Sequence, residues 1–484
     1  MPRKHIELLF LNAVFFVFGQ YAAYTQQIVA SKGSFGIDHQ NKIIVWHAKG
    51  LDSIAAATNY KMKDIVFDEK FTLTPSIAKL SYSEVLPVSK KGDTYALYIS
   101  DLPIIHITNK VFIKDNSKVF TYFTYYDGSK LIENETGIEH RGNISLGFPK
   151  KSYDLEFWTD SLSKKPKDLK FKGLRNDDDW ILDGLYNEPL RLRSYFSLKL
   201  WLSFHKPHYE LQEPKAKSTI DLKFVELFKN SEYRGLYTLS ESVDSKLLKL
   251  KKNENNLING ELFKASSYEG APAFRKAPPY NNVFPHWGGY EMKYPKVDYR
   301  FHWEDLAKFT DLVVNGSDEQ FSLRIGKELQ IDNAIDYYLF VNLLRATDNL
   351  GKNFYMARYD KEGPYFFVPW DLDGVMGIIQ DGKRIASTND ILSNGLFDRL
   401  LKVNPDNYRD RVKSRWKALR KDKFSNNSLF SRIDKIYSKF DTEGIYEREW
   451  KVWPNQIGKE EHYEYLKNWL RNRLIFLDEH FEML

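Results

Sequence analysis

The sequence predicts an α+β fold, and three observations predict it. Between Ser31 and Asp127 the chain runs in short alternations of apolar and polar residues separated by Gly, Asp, Asn, Ser and Pro, the period-two pattern of strands. Past Arg300 the apolar spacing becomes that of helices. Where the most apolar of these helices ends, Asp348, Asn353, Asp371 and Asp373 crowd into the stretch from Arg345 to Gly377. Strands first, helices later and a polar cluster at the junction predict a cleft between two lobes.

The elements follow in order. Basic Met1–His5, the short apolar run Leu8–Gly19 and the small and polar residues Gln20–Gln27 have the three-part plan of a secretory signal. A leader over residues 1–25 is expected, with cleavage near Ala23 to Ser31 and a secreted or cell-envelope product. Membrane contact is expected only through this leader if it stays uncleaved, because no other run approaches the length of a spanning helix. Residues 26–100 are expected to be β-rich, and the runs "KIIVWHA", "TYALYIS", "IIHIT", "KVFIK" and "KVFTYFTYY" are assigned to antiparallel strands.

Residues 101–300 read as a mixed small lobe with an insertion. A glycine-containing loop at His140 precedes an alternating strand, and a helix is expected over Asn187–Phe204 with Pro189 in its first turn. Asp221–Val243 is two alternating runs around "KNSEYRG", a hairpin. "NGELFKAS" is one more strand, and the aperiodic, aromatic-rich Tyr268–Pro295 is taken as a surface insertion. Residues 301–484 are expected to form a helical large lobe. Its Ile331–Ala346 is apolar almost all round and so buried, and its last hundred residues are amphipathic helix.

Composition narrows the chemistry. Cysteine is absent, which excludes disulfides, thiolate metal sites and cysteine nucleophiles. The net charge of +6 is spread along the chain, and the lysine-rich pieces at Ser161–Gly173 and Lys246–Asn256 are solvated faces, so no nucleic-acid partner is expected. There is no H-E-x-x-H, no G-x-S-x-G and no phosphate loop of the G-x-x-x-x-G-K-[ST] type; "HKPH" is expected to be a surface turn.

The acidic cluster is the candidate site. Asp348 follows the buried helix, Asn353 opens the alternating run "NFYMARYD", and after the turn "KEGP" the run "YFFVPW" enters "DLDG". A hairpin brings the end of its second strand beside the start of its first, so Asp371 and Asp373 are expected beside Asn353 and Asp348. Such a group suits a hard cation with oxygen ligands. The order of acid, amide five residues on, then acid and glycine after a hairpin is also that of a phosphoryl-transfer site. On spacing alone, a capped turn or a structural Ca²⁺ loop accounts for the same residues.

The stretches "RGNISLGFPKKSYDLEF", "DDDWILDGLYNEPLRLRS", "FVELFKNSEYRGLYTLSESVD", "GELFKAS", "DNLGKNFYMARYD" and "FFVPWDLDGVMG" together resemble the spore coat protein H (CotH-like) atypical kinases, over roughly Leu102 to Gly377. The resemblance implies an atypical protein-kinase-like, two-lobed fold that transfers the γ-phosphoryl of ATP to hydroxyl side chains of exported proteins with Mg²⁺ or Mn²⁺. The acceptor is then a protein, the chain itself included. Asp348 matches the family's catalytic aspartate, Asn353 its metal-binding amide and Asp371 its metal-binding acid, with Asp373 the competitor for that place. For nucleotide binding the resemblance points to Arg141 and Ser145 on the glycine loop, Lys151 on the strand, Glu188 as its ion-pair partner, Glu241 at the linker and Lys264. Lys150 is expected on the face opposite Lys151. Arg193 resembles the arginine of the family's D-x-S-x-x-R pattern, from which "EPLRLR" departs at the serine. The alternative is a catalytically silent surface or carbohydrate-associated binding protein that keeps the fold and uses Tyr268–Pro295 as its contact surface.

Overall fold

The computed structural model describes residues 26–48, 61–253, 258–296, 303–454 and 457–484. The expected leader, residues 1–25, lies outside them. The described chain is β-rich in its first half and helical in its second.

The first seven strands form one sheet in the order Gln26–Val29, Met62–Val66, Lys70–Ile77, Val85–Lys90, Asp93–Ser100, Ile43–His47, Phe35–Asp38. Two of its pairings, Gln26–Val29 with Met62–Val66 and Ile43–His47 with Asp93–Ser100, are parallel, against the expected antiparallel arrangement. Alternation along a strand specifies which residues share a face and says nothing of the neighbour's direction.

Seven further strands close into a barrel: Leu131–Arg141, Ser152–Phe157, Asp179–Asp183, Glu232–Ser240, Leu222–Lys229, Ile104–Thr108 and Val119–Tyr126, which returns to the first. Side chains including Phe123, Leu155, Phe171, Trp180, Leu182 and Tyr237 fill it. The expected hairpin is present, and its turn residues Asn230 and Ser231 both have positive φ, 51° and 64°, as a two-residue turn matched to strand twist requires. "KVFIK" is not a strand. Val111 and Phe112 are exposed there and only Ile113 is buried, in the barrel core, so the run has no alternating apolar face.

The helix expected from Asn187 begins at Arg193 and runs to Phe204. Glu188 accepts hydrogen bonds from the backbone N–H groups of Leu190, Leu192 and Arg193 and holds that segment in an irregular turn, in which Arg191 has a φ of 56°. Pro189 therefore precedes the helix. In "HKPH", His205 is buried and its Nδ1 lies 2.8 Å from an Asp336 carboxylate oxygen, so this is no surface turn.

A five-stranded sheet joins His286–Trp287, Tyr290–Tyr294, Glu261–Ser266, Lys352–Arg358 and Tyr365–Pro369 in that order. The Tyr268–Pro295 segment is accordingly part of the core: Ala271, Phe274, Trp287, Tyr290 and Met292 are all buried in the largest apolar cluster. Its lack of period reflects short strands joined by turns. The helix Ile331–Leu344 is buried from Asn333 onward and packs on Tyr365–Pro369 and on the helices Tyr408–Lys421 and Glu460–Glu482. The helix Ile445–Val452 crosses back to the barrel strand Glu232–Ser240. Among the described residues no helix is long and apolar enough to cross a membrane.

Candidate functional site

The acidic cluster is assembled by one hairpin. The helix Ile331–Leu344 stops at Arg345, whose φ of 52° is left-handed, and the following 3-10 turn Thr347–Leu350 carries Asp348. The strand Lys352–Arg358 then pairs antiparallel with Tyr365–Pro369, with Phe354 opposite Pro369. Trp370 and Asp371 thus return beside Asn353. Asn349 fastens the two ends: its buried side-chain amide donates to the carbonyl of Asn353 at 2.5 Å and to that of Trp370 at 2.8 Å. One side chain thereby satisfies a carbonyl at each end of the hairpin.

The four acidic and amide side chains differ in their partners. One carboxylate oxygen of Asp348 accepts from the Tyr268 hydroxyl at 2.9 Å; the other is 3.0 Å from the Lys352 ammonium and 3.5 Å from the Asn353 amide nitrogen. Asp373 accepts from the Asn187 amide at 2.6 Å. No described residue hydrogen-bonds or ion-pairs the Asp371 carboxylate. Asp371 and Asn353 both sit at left-handed φ, 55° and 59°, which turns their side chains out of the strand pattern.

The electrostatics are those of carboxylates short of positive charge. Asp371 is open to the cavity, yet desolvation by the surrounding walls holds it above the ordinary carboxylate range and neighbouring Asp183 adds to it, against Arg141 and Lys264. Asp373 is raised well above that range by burial and then by Asp371, with the Asn187 hydrogen bond opposing. Like charges brought together at the cavity wall favour protonation or a bound cation. An all-oxygen donor set containing one carboxylate without a hydrogen-bond donor fits a hard divalent ion such as Mg²⁺ or Mn²⁺.

These groups border a cavity of about 650 Å³ whose walls include Arg141, Ser145, Lys264, Asp348, Asn353 and Asp371, a size that accommodates a nucleotide. The Arg141 guanidinium lies 5.7 Å from the Trp370 ring centre. Lys264 is mostly buried, and its pKa is lowered by burial and then by Lys293; no described acceptor hydrogen-bonds its ammonium. Ser145 donates to the Arg141 carbonyl at 3.3 Å. Between them Gly142 has a φ of 111°, and a Cβ there would stand 1.7 Å from the Ser145 hydroxyl oxygen, so the turn admits only glycine.

Three residues expected at the nucleotide do not border this cavity. Lys151 donates to the Leu146 carbonyl and does not border the cavity; Lys150 borders it instead, with its ammonium on Glu449. Glu188 is buried and paired with Arg193, not with Lys151. Glu241 is buried away from the cavity, where its carboxylate accepts from the Arg175 and Asp221 backbone N–H groups and from Lys217. In each case a lone charge in the sequence carries no information about which face it takes, and barrel closure decides it.

Four residues at the site carry roles that sequence reasoning did not give them. Asp183 had a signal: Trp180 and Leu182 fill the barrel, so alternation turns Ile181 and Asp183 to the cavity side, where both are found. Asn187, Asn349 and Tyr268 had none, since their roles depend on pairings across the fold. A separate acidic group, Asp168, Asp177 and Asp178, already has Lys246 bonded to Asp177 and Asp178, and Arg175 paired with Asp177.

Comparison with known proteins adds the family. No curated protein matches the chain. Residues 138–477 match the CotH kinase protein family, a span that holds the hairpin, most of the helical half and all of the cavity wall except Asp115 and Asn116. The chain belongs to the CotH kinase protein family.

Proposed function

We propose that the protein is an exported atypical protein kinase that transfers the γ-phosphoryl of ATP to hydroxyl side chains of proteins with Mg²⁺ or Mn²⁺. The observation that carries this is the Asp371 carboxylate, which has no hydrogen-bond donor and shares one cavity with Arg141, Lys264, Asn353 and Asp348. In this account the barrel is the small lobe, the helical half is the large lobe, and the cavity between them takes the nucleotide. Export rests on the leader pattern of residues 1–25.

Bound here, a divalent ion would supply positive charge that offsets the charge developing on the transferred phosphate. Asp371 and Asn353 would hold it through oxygen, and Asp373, tied to Asn187, would support Asp371. Arg141 and Lys264 offer positive charge to the phosphates. Asp348, exposed to the cavity and bonded to Lys352, accepts the proton of the acceptor hydroxyl. The buried ion pair of Lys150 and Glu449 braces the strand that follows the glycine loop.

The test is calorimetric titration of the chain with a non-hydrolysable ATP analogue, with and without Mg²⁺. Binding that requires the metal is expected. Absence of binding under both conditions would overturn the proposal.

A further inference from the structure

We propose that Tyr268 is a phosphoryl acceptor in the chain itself, reached by its own Asp348; this rests on the kinase function proposed above and names one substrate hydroxyl for it. The Tyr268 hydroxyl donates to an Asp348 carboxylate oxygen at 2.9 Å and to the Thr347 carbonyl at 2.8 Å. A general base must lie within about 2.6–3.2 Å of the hydroxyl it deprotonates, and among the described residues Tyr268 supplies the hydroxyl that meets this for Asp348.

The seat is specific. Gly351 makes room for the ring: a Cβ at that position would stand 2.4 Å from the Tyr268 Cδ1 and 2.9 Å from its Cα. The Lys352 ammonium lies 5.5 Å from the ring centre while holding the other Asp348 oxygen. The tyrosine follows two residues after Ser266 and four after Lys264, both on the cavity wall, so its backbone leaves the sheet beside the cavity. It is 42% exposed, which leaves space for an added phosphate. With its single proton directed at Asp348 and Thr347, the phenolic oxygen keeps lone pairs that no described donor engages.

The step balances as an ordinary phosphoryl transfer. The Tyr268 proton passes to Asp348, the phenolic oxygen forms a bond to the γ-phosphorus of ATP, the bond from that phosphorus to the β–γ bridging oxygen breaks, and ADP leaves.

The full chain is incubated with ATP and Mn²⁺ or Mg²⁺ together with a panel of hydroxyl-bearing exported proteins, and phosphopeptides are mapped by mass spectrometry. The expected result is phosphate on Tyr268, formed at a fractional rate independent of protein concentration and lost in Tyr268→Phe and in Asp348→Asn. Phosphate on panel proteins or on other residues of the chain with Tyr268 bare overturns the assignment and leaves the kinase proposal standing. A rate that rises with protein concentration overturns transfer within one molecule. No phosphate on any protein overturns both. A readout without nucleotide is the thermal unfolding of Tyr268→Phe, Asp348→Ala and the double variant: non-additive shifts are expected for a shared hydrogen bond, and additive shifts overturn the seat.

Discussion

Lys150 and Glu449 stand 299 positions apart in sequence, and the ammonium of one lies 2.5 Å from the carboxylate of the other, with both side chains almost wholly enclosed. The same glutamate accepts from Arg191 Nε at 3.1 Å and from the Leu236 backbone N–H at 2.7 Å. Burial pushes the Lys150 pKa down to about 8 and Glu449 opposes it. Gly235, at a φ of 92°, clears the way: a Cβ there would meet a Glu449 oxygen at 1.9 Å. One turn of a C-terminal helix thereby fixes the barrel wall next to the cavity, and the neighbouring Arg448 does the same through buried Glu226.

Removing the glutamate leaves two buried cations without their carboxylate, with only backbone carbonyls to accept from them. Glu449→Ala is therefore expected to cost roughly 3–5 kcal/mol, the range for breaking a buried ion pair by deleting one partner. Denaturant unfolding measures it. A loss below about 1 kcal/mol would mean that water or another acceptor compensates, and that the clamp is not the brace described.

The two acids of "DLDG" are expected to behave differently. Asp371 has no hydrogen-bond partner to lose, so Asp371→Ala should keep the fold, relieve repulsion with Asp183 and Asp373, and abolish Mg²⁺-dependent nucleotide binding. Asp373→Ala strands the Asn187 amide, which also donates to the Gln380 carbonyl at 2.8 Å, so it should lower thermal stability and weaken binding less. Calorimetry with and without Mg²⁺ beside thermal melts decides. Binding kept by Asp371→Ala and lost by Asp373→Ala reverses the assignment, and binding kept by both makes the cluster structural.

Much of this site was legible in the sequence because it is local. The run from Asp348 to Gly374 needs only a hairpin, and alternation in "NFYMARYD" and "YFFVPW" fixes which ends meet. What was not legible depends on closure of the chain over long separations. Glu188 and Lys151 are thirty-odd positions apart on elements the sequence suggested would face each other, yet Glu188 is satisfied within its own turn and by Arg193. The aromatic-rich Tyr268–Pro295 stretch was misjudged for a different reason. Its strands, such as His286–Trp287, are too short to show a period, although Trp287 and Tyr290 bury as deeply as residues of a regular strand.

Asp179, at the start of a barrel strand, gives a pH dependence separate from catalysis. Burial and then the charge of Asp178 push its pKa up to about 6, with Asp154 and Glu156 adding and Lys118 opposing. The unfolded chain releases this proton near the ordinary value of 3.8, so between there and about pH 6 the folded state binds more protons, and stability falls as pH rises. Asp179→Asn should remove that loss, gaining roughly 1–3 kcal/mol at neutral pH after allowance for its partial exposure, and little at about pH 3.5. Melting temperatures across that range check it. An equal gain at both ends would show that the carboxylate is not the cause.

Asp348 carries the central claim. An amide at this position keeps the shape and the hydrogen bond from Tyr268 while losing the capacity to take a proton, so Asp348→Asn should bind nucleotide with Mg²⁺ as wild type does. Transfer of radiolabelled phosphate to protein hydroxyls, measured for both chains on the same panel of exported proteins at matched Mg²⁺ and Mn²⁺, should fall by roughly 10²–10⁴-fold, the range for a general base. Equal incorporation by the two chains would remove Asp348 from the chemistry, and no incorporation by wild type on any protein would contradict the kinase account.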